Sequence, residues 1–402
     1  MTRVSDLAAA AVGRTEDLFS NDLHVTWESL KESVSDRTIL VVGGAGTIGA
    51  ATIQRMIAFN PRRIDVLDPS ENGLAELVRR LRSGPLGMDS AADLRFEPLD
   101  ALGSVAHRFI SDAAPYDSVM NFSALKHVRS EKDWYSQLRM LQVNVLLPYR
   151  LLQFAEEIGV ETFFSVSTDK AASPGSFLGA TKRAMELAML DLRWSIPTIN
   201  TARFANVALS SGSILESVVR RIEAGQPISM PREVHRFLLT PAESGSLCTL
   251  AAFIGPERGL AVPREGLLSP LNLLDAAVNI LQAMGLEAVL VSNLADGYKV
   301  INANRTCWPI VTTELDTPGE KEVEIFLDGS ELPLPTGLAD LQFHLPRSTF
   351  EGPTLEFIQM LQAETALHVP SPEATQQLVR RLTDLLGNYS HISGESTLDG
   401  RA

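Results

Sequence analysis

The sequence predicts an α/β protein with a doubly wound parallel sheet and a smaller α+β lobe. From Thr38 onward, short apolar runs alternate with amphipathic segments, the pattern of a parallel sheet covered by helices on both faces. The first apolar run leads directly into a glycine-rich loop at residues 43–49. A polar group, Thr168-Asp169-Lys170, follows a later apolar run, at the end of a strand where open α/β sheets place their sites.

The alternating segments predict a regular series of strands and helices in the first half of the chain. Strands are expected at Thr38–Val42, Arg63–Leu67, Leu94–Pro98, Ser118–Asn121, Thr162–Val166 and Thr198–Phe204. Helices are expected at Thr47–Phe59, Gly73–Leu81, Leu141–Ile158 and Thr181–Leu192. After Val207 prolines interrupt the pattern, and Ser213–Ala224 is the next expected helix.

The same changes of pattern predict the domain organisation. The expected divisions are an N-terminal helical extension (1–36), the sheet domain (37–210), a mainly substrate-binding lobe (211–345, with 241–254 packing back on the sheet domain), a C-terminal helical extension (346–389, with helices at Thr354–Leu367 and Ser371–Leu386) and a disordered tail (390–402).

Composition excludes several classes of protein. The 402 residues carry a net charge of −14, which opposes nonspecific binding to nucleic acid or to anionic membranes. Only Cys248 and Cys307 occur, too few for a disulfide framework, and no group of His, Cys, Asp and Glu has metal-ligand spacing. The most apolar long segment, Leu271–Val291, is interrupted by polar side chains and is not expected to span a membrane. We expect a soluble cytoplasmic protein without a bound metal.

Gly43, Gly46 and Gly49 predict a dinucleotide site, since they follow a strand and open a helix. Glycines at these positions allow the tight turn, the close approach of a pyrophosphate and the packing of helix on strand. The helix N-terminus at Thr47 and Ile48 supplies N–H donors. A tight turn without a ligand is the alternative, but the flanking elements are those that the motif requires. Residues 37–210 are therefore predicted to be a Rossmann-type NAD(P)-binding domain.

Two acidic positions fit the adenosine half of such a cofactor. Asp68, with Ser70 close behind it, ends the second strand, where a carboxylate commonly accepts from the ribose hydroxyls. Asp100, followed by Ala101, comes after the third strand and fits an acceptor for the adenine edge; an ordinary loop aspartate is the alternative.

The residues around Asp68 also bear on the choice of cofactor. Pro69 follows it, and no arginine is there to hold a 2′-phosphate, which favours NAD over NADP. Arg79 or Arg80 on the next helix leaves NADP possible.

Thr168, Asp169 and Lys170 are candidates for acid–base chemistry. A neighbouring acid and lysine act in this way only where their environment moves their pKa values away from the solution values. Alone they would be interpreted as a surface ion pair. Lys182 on the following helix changes that interpretation, because it stands where a lysine can bind the nicotinamide ribose.

Several segments together resemble a known family. They are Asn121–Val128, Asn144-Val145, Ser165–Ala171, Gly179–Arg183 and Arg203–Val207. The pattern is similar to the CapD-type polysaccharide biosynthesis branch of the extended short-chain dehydrogenases/reductases, the UDP-N-acetylglucosamine 4,6-dehydratases. The resemblance runs from about Thr38 to Ala252 and resumes at Thr317–Lys321.

The resemblance implies a cycle with no net redox change. Hydride passes from C4 of the sugar to the cofactor, water is lost across C5 and C6, and hydride returns to C6. Matched by position, Thr168 would hold the C4 hydroxyl, Asp169 would be the acid at C6, and Lys170 the base at C5. Lys182 would fix the ribose and favour formation of an anion beside it.

The resemblance also implies a set of binding residues. Those facing the cofactor are Gly43, Gly46, Thr47, Ile48, Gly49, Asp68, Ser70, Asp100, Ala101, Ser123, Lys126, Asn144, Lys182 and Phe204. Those facing the sugar nucleotide are Lys126, His127, Asn206, Ser213, Arg236, Glu320 and Lys321. Arg236 is chemically the most apt of these, because arginine pairs with phosphate through two hydrogen bonds.

The chain departs from the family pattern at two informative places. Four residues before Lys182 a short-chain dehydrogenase normally has a tyrosine, whereas this chain has Leu178, which cannot take up a proton. An arginine of the uridine-side segment is replaced by Thr317. The resemblance therefore implies the fold and the reaction class more firmly than the identity of the sugar nucleotide.

Three functions remain open at this stage. The first is a nucleotide-sugar 4,6-dehydratase, with UDP-N-acetylglucosamine or a related NDP-hexosamine as substrate, in surface polysaccharide or glycoconjugate synthesis. The second is an NDP-sugar C4 epimerase or 4-oxidase, and the third is a noncatalytic NAD(P)-binding sensor or scaffold. A homo-oligomer is expected, because the two helical extensions offer amphipathic faces for subunit contacts.

Overall fold

The computed structural model describes residues 4–83, 92–126, 133–313, 324–346, 353–366 and 369–386. The strands are β1 (Thr38–Val42), β2 (Arg63–Leu67), β3 (Asp93–Glu97), β4 (Ser118–Asn121), β5 (Thr162–Val166), β6 (Thr198–Ala202), β7 (Asn206–Val207), β8 (Ile228–Pro231), β9 (His235–Arg236), β10 (Leu238–Leu239), β11 (Arg258–Pro263), β12 (Leu271–Asn272), β13 (Glu287–Val291), β14 (Cys307–Thr313), β15 (Glu331–Leu334) and β16 (Leu341–Pro346).

Helices connect most of these strands. They are α1 (Val4–Val12), α2 (Ser20–Val25), α3 (Trp27–Val34), α4 (Thr47–Ile57), α5 (Glu71–Ser83), α6 (Ser104–Ala113), α7 (Trp134–Leu141), α8 (Leu147–Ile158), α9 (Phe177–Met189), α10 (Ile214–Glu223), α11 (Pro241–Phe253), α12 (Leu273–Ala283), α13 (Leu294–Ala303), α14 (Pro353–Ala366) and α15 (Pro372–Leu386). A π-helical turn, Gln142–Leu146, joins α7 to α8, and a 3₁₀ turn, Asp169–Ala171, follows β5.

The predicted doubly wound sheet is confirmed. Its strands run in the order β3-β2-β1-β4-β5-β6-β11-β16-β15, and β1 to β6 and β11 are all parallel. The first six follow the strand order of the dinucleotide-binding fold, in which the chain reverses direction across the sheet between β1 and β4. All five residues of β1 are buried, as expected for a central strand with helices on both faces.

Most of the predicted strand boundaries agree with the structure. β1, β2, β4 and β5 begin and end at the predicted residues, whereas β3 is shifted by one residue and β6 ends at Ala202 instead of Phe204. The helix predicted at Leu141–Ile158 is longer and is not regular, because it begins at Trp134 and contains the π-helical turn.

The expected division at residue 210 does not follow the sheet. Strands β11, β15 and β16 belong to the 211–345 segment but complete the large sheet beyond β6. Leu260, Ala261 and Val262 of β11 are fully buried, so this strand requires neighbours on both sides. The remainder forms a smaller lobe, in which the parallel sheet β13-β14-β8 packs against α10 and α12.

Helix α11 lies in the main body and not in the lobe. It packs closely on α4, where a side chain at Gly245 would come within 2.6 Å of the Ala51 carbonyl oxygen. Every residue of α11 from Glu243 to Ala252 is buried. This explains why α11 has no polar face in its sequence.

The N-terminal helices are integrated into the rest of the chain. Helix α1 packs on α12, with Leu7 and Ala11 in the core of the lobe. The buried carboxylate of Asp22 accepts hydrogen bonds from the backbone N–H groups of residues 339, 340 and 341, at 2.6–2.9 Å. Arg14 donates two hydrogen bonds to the carboxylate of Glu243. The apolar faces of the N-terminal helices therefore pack within the same chain. The expected homo-oligomer stays a prediction.

The C-terminal helices cover α9 and its neighbours. Their buried side chains, Phe357, Ile358, Leu361, Leu378 and Leu382, join the core that contains Phe177 and Leu178 of α9. Among the described helices, none combines the length and apolar character needed to cross a membrane.

Candidate active site

The glycine loop requires glycine at two positions, because a side chain there would collide with neighbouring backbone atoms. Gly43 has a φ of +77°, and a Cβ there would lie 2.5 Å from the backbone nitrogen of Ser123. A Cβ on Gly49 would lie 2.7 Å from the Gly43 carbonyl oxygen. Gly46 is the N-cap of α4, so Thr47 and Ile48 form the first turn of the helix. The predicted loop residues therefore surround a helix N-terminus at the carboxyl end of β1.

Asp68 holds the glycine loop in place. Its Oδ2 accepts from the backbone N–H of Ala45 at 3.1 Å, and its Oδ1 accepts from that of Ser70 at 2.9 Å. The carboxylate thus joins the end of β2 to the loop after β1. Arg79 and Arg80, the two residues that left NADP possible, are both exposed on α5, and Arg79 pairs with Glu76.

Asp100 and Ala101 lie beyond β3. One carboxylate oxygen of Asp100 pairs with Arg139 at 2.7 Å, and the other accepts from the backbone N–H of Leu102. Ala101 lines a cavity of about 280 Å³ between α6 and α8. Contact of either residue with a cofactor stays a prediction.

Asn144 fixes the segment after β4. Its Oδ1 accepts from the N–H of Leu125, and its Nδ2 donates to the Leu125 carbonyl and to Thr181 Oγ1, at 2.9–3.1 Å. The residue lies in the π-helical turn, a feature that often marks functional sites. Ser123 and the exposed Lys126 lie on the segment that it holds. His127, also predicted here, lies outside the described residues.

Thr168, Asp169 and Lys170 come together at the end of β5. The Thr168 hydroxyl donates to Asp169 Oδ1 at 2.7 Å, and Lys170 Nζ lies 3.3 Å from the same oxygen. Asp169 is buried, whereas Lys170 is partly exposed. Burial lowers the pKa of Lys170, but Asp169 and Glu324 outweigh this effect, so the pKa is raised. Lys170 is therefore an ammonium group in the free protein.

Lys182 is buried beside this group. Its Nζ donates to the Val166 carbonyl oxygen at 2.9 Å. Burial lowers the pKa of Lys182 to about 8, although the nearby carboxylate of Glu186 acts in the opposite direction. Leu178, one turn earlier on α9, is 3% exposed and belongs to the hydrophobic core, so it offers no polar group at the tyrosine position.

A buried ionic network positions α9 and Lys182. Arg203 pairs with Glu186 at 2.6 Å and with Glu331 at 2.7 Å, and all three side chains are at most 1% exposed. Glu186 also accepts from Ser167 at 2.6 Å. Burial would raise the pKa of Glu186, but Arg203, Arg183 and Ser167 lower it overall. The network ties α9 to the residue that follows β6 and to β15.

Asn206 and Arg236 meet at a residue that the sequence analysis missed. Glu324 Oε1 accepts from Asn206 Nδ2 at 2.8 Å and lies 3.5 Å from Arg236 Nε. The same oxygen is 3.5 Å from Lys170 Nζ. Burial and the neighbouring Asp169 raise the pKa of Glu324 to about 7. Its only sequence signal is an acid between Val323 and Ile325, three residues after the Pro-Gly-Glu-Lys segment.

The remaining predicted residues occupy different positions. Phe204 is buried, with its carbonyl oxygen 3.5 Å from the N–H of Asp169. Ser213 is the N-cap of α10 and accepts from the N–H of Glu216. Glu320 and Lys321 lie outside the described residues. Within the described parts of the chain, no group of three or more His, Cys, Asp and Glu side chains is arranged to hold a metal.

The sheet order, the glycine loop and the lysine on α9 define a Rossmann-fold protein of the extended short-chain dehydrogenase class. Within that class, the chain belongs to the family described as polysaccharide biosynthesis protein, whose model matches residues 39–331. This confirms the family that the motifs indicated.

Curated relatives support this assignment. An uncharacterized membrane protein of Methanocaldococcus jannaschii is 32% identical over 233 residues, covering 57% of this chain and 66% of the relative. The capsular polysaccharide biosynthesis protein CapD of Staphylococcus aureus is 26% identical, covering 67% of this chain and 45% of CapD. The probable polysaccharide biosynthesis protein EpsC of Bacillus subtilis is 25% identical, and the match covers 81% of this chain and 52% of EpsC. The chain thus spans about half to two thirds of the length of these relatives.

Solved structures share the fold. Pen from Bacillus thuringiensis superposes with a TM-score of 0.61 at 20% identity, covering 83% of this chain and 99% of Pen. The dTDP-glucose 4,6-dehydratase DesIV of Streptomyces venezuelae, with NAD bound, has a TM-score of 0.54 at 17% identity. The match covers 88% of this chain and 99% of DesIV. The UDP-glucose 4-epimerase of Thermotoga maritima has a TM-score of 0.53 at 16% identity, covering 72% and 89%.

Proposed function

We propose that the protein is an NAD-dependent nucleotide-sugar 4,6-dehydratase that acts on an NDP-hexosamine, with UDP-N-acetylglucosamine as the first candidate. The observation that carries this proposal is the contact of Thr168, Asp169 and Lys170 at the carboxyl end of β5, beside Lys182. A hydroxyl, an acid and a lysine in one group are what elimination of water next to a carbonyl requires.

The glycine loop fits the proposed cofactor. Any side chain at Gly43 or Gly49 would collide with backbone atoms of the protein, so glycine keeps the turn tight at the N-terminus of α4, whose first-turn N–H groups are of the type that binds pyrophosphate. NAD would supply a reversible hydride acceptor at this edge. Asp68 and the Lys182 ammonium group are proposed to hold its two riboses, in line with the absence of an arginine after Asp68.

Proton balance supports a double role for Asp169. Oxidation of the C4 hydroxyl releases a proton, and departure of the C6 hydroxyl as water consumes one. In the proposed mechanism Thr168 passes the first proton to Asp169, to which its hydroxyl already donates at 2.7 Å. Asp169 then donates that proton at C6. The route requires no phenol, which is consistent with Leu178.

Lys170 acts as the general base at C5 in this mechanism. Its Nζ takes the C5 proton after the C4 ketone has made that proton acidic, and the same proton or one from solvent returns to C5 at the end. A C4 epimerase needs no base at C5 and no acid at C6, so the Asp169–Lys170 pair favours the dehydratase. A noncatalytic scaffold has no need of a buried acid beside a lysine in register.

Mass spectrometry of the products tests the proposal. Purified protein is incubated with NAD and UDP-N-acetylglucosamine, and then with other NDP-hexosamines. The expected product is lighter by one water and forms without stoichiometric NADH. The isosteric variant Asp169→Asn should retain the fold and lose this product, since an amide can neither accept nor donate the C4 proton. An unchanged mass with an altered sugar NMR spectrum would establish an epimerase instead.

A further inference from the structure

Glu324 connects the proposed base to the proposed phosphate ligand. A single oxygen, Oε1, lies 2.8 Å from Asn206 Nδ2 and 3.5 Å from both Lys170 Nζ and Arg236 Nε. These three partners belong to different elements, namely β7, the 3₁₀ turn after β5, and β9. The side chain is 8% exposed. It therefore occupies the centre of the site although no substrate role was expected for it.

The charges around Glu324 create a difficulty for Lys170. A lysine can remove a proton only as the free amine, but the carboxylates of Asp169 and Glu324 both stabilise its ammonium form. Asp169 is already committed to the C4 proton in the proposed mechanism. Of the charged groups that face Glu324, Asp169 raises its proton affinity, whereas Lys170 and Arg236 lower it. Glu324 is the remaining acceptor within ion-pair distance of Lys170 among the described residues.

We propose that Glu324 accepts the proton of Lys170 when the sugar nucleotide binds, and holds it while Lys170 acts as the base at C5. This inference rests on the proposed function. One N–H bond of Lys170 breaks and one O–H bond forms on Glu324, so an ion pair becomes a neutral amine and a neutral acid. The electron pair left on Nζ is the one that takes the C5 proton. Glu324 acts through Lys170 and is thus a positioning residue.

Two features of the site favour this transfer. Burial and Asp169 raise the pKa of Glu324 to about 7, so its proton affinity is closer to that of Lys170 than the affinity of an ordinary carboxylate would be. A diphosphate bound by Arg236 would withdraw that cation from Glu324 and add negative charge beside it, and both changes increase its affinity for a proton. The distance of 3.5 Å to Lys170 is typical of catalytic contacts that shorten in the substrate complex.

The pH dependence of Glu324→Gln tests the inference. The amide keeps the shape and the acceptor for Asn206 but cannot take a proton. We expect kcat at pH 7 to fall by about 100-fold, the range typical of one proton-transfer group. Because loss of the carboxylate also lowers the pKa of Lys170, kcat should recover as the pH rises and Lys170 loses its proton to solvent. The KM for the sugar nucleotide should not increase, since a negative charge beside Arg236 is removed.

Two further variants serve as controls. Glu324→Asp keeps a carboxylate, and its kcat should follow the wild-type pH profile at a lower level. Glu233→Gln removes an exposed carboxylate close to β9 and should leave kcat unchanged at every pH. If kcat of Glu324→Gln is reduced by the same factor at every pH, or is not reduced at all, the inference is wrong while the proposed function stands. If the wild-type protein dehydrates no NDP-hexosamine, the proposed function fails and the inference fails with it.

Discussion

Lys182 carries its charge at a position that gives it little solvation. Its Nζ has the Val166 carbonyl as a hydrogen-bond acceptor, and burial lowers its pKa to about 8. The difference from the ordinary value of 10.5 corresponds to about 3 kcal/mol of unfavourable free energy for the charged form. A buried lysine of this kind is expected where a cationic group has a function and not where it stabilises the fold.

Replacement of Lys182 should therefore separate stability from activity. Lys182→Met is expected to raise the free energy of unfolding by about 2 kcal/mol at pH 7, since the lost hydrogen bond to Val166 offsets part of the gain. Turnover should be lost. Between about pH 8 and 10.5 the unfolded chain binds more protons than the folded one, so the free energy of unfolding of the wild type rises with pH. The stability advantage of Lys182→Met over the wild type therefore disappears at high pH.

Urea unfolding at pH 7 and at pH 10 measures this effect. The matched control is Lys299→Met, because Lys299 is exposed and pairs only with Asp296 on the surface of α13 among the described contacts. It should leave the free energy of unfolding essentially unchanged at both pH values, because its pair lies at the surface. A destabilised Lys182→Met variant at pH 7 would show that the lysine contributes net stability.

Helix α9 depends on buried ion pairs for its position. It supplies Lys182 to the site and Glu186 to the network beneath it, and Arg203 joins Glu186 to Glu331 on β15. Removal of one partner from such a network leaves an uncompensated buried charge, which is costly. The network is thus a structural element of the site, although none of its members was predicted to be functional.

Arg203→Met should destabilise the protein strongly. The variant removes the closer of the two cations that Glu186 and Glu331 share and leaves Arg183 at 3.3–3.4 Å from them, and the expected loss in free energy of unfolding is about 3 kcal/mol. Arg108→Met removes an exposed pair with Asp112 and should leave the free energy of unfolding essentially unchanged. Denaturant unfolding of both variants checks the difference. Similar losses for the two would mean that the network contributes little.

Hydrogen bonds between distant parts of the chain hold the two ends of the molecule together. Asp22, near the N-terminus, accepts three backbone hydrogen bonds from residues 339–341 at the start of β16. Asp340 returns the interaction by accepting from the N–H of Asp22 at 3.1 Å. The last strands of the large sheet are therefore held by the first helices, and residues 4–34 are part of the fold.

The variant Asp22→Ala tests how much these hydrogen bonds stabilise the fold. It leaves three N–H groups without their charged acceptor, and a loss of about 3 kcal/mol in the free energy of unfolding is expected. The thermal midpoint should fall while the sedimentation coefficient of the folded protein stays the same. A changed assembly state at unchanged stability would instead mean that this region serves subunit contacts, as the amphipathic sequence suggested.

The sequence by itself determined the parallel sheet, the glycine loop, the family and the group Thr168-Asp169-Lys170. These are local signals, since strand periodicity, a helix-opening turn and a polar group after an apolar strand each lie within a few residues. It also indicated that Leu178 cannot replace the usual tyrosine.

Only the tertiary structure decided which distant residues complete the site and the sheet. Glu324 lies 154 positions after Lys170 in the sequence, yet the two side chains are 3.5 Å apart. Likewise, β11, β15 and β16 join the large sheet although segments of the smaller lobe lie before β11 and between β11 and β15 in the chain. The physical reason is the same in both cases: burial and charge pairing are properties of neighbours in space, and no local periodicity encodes them.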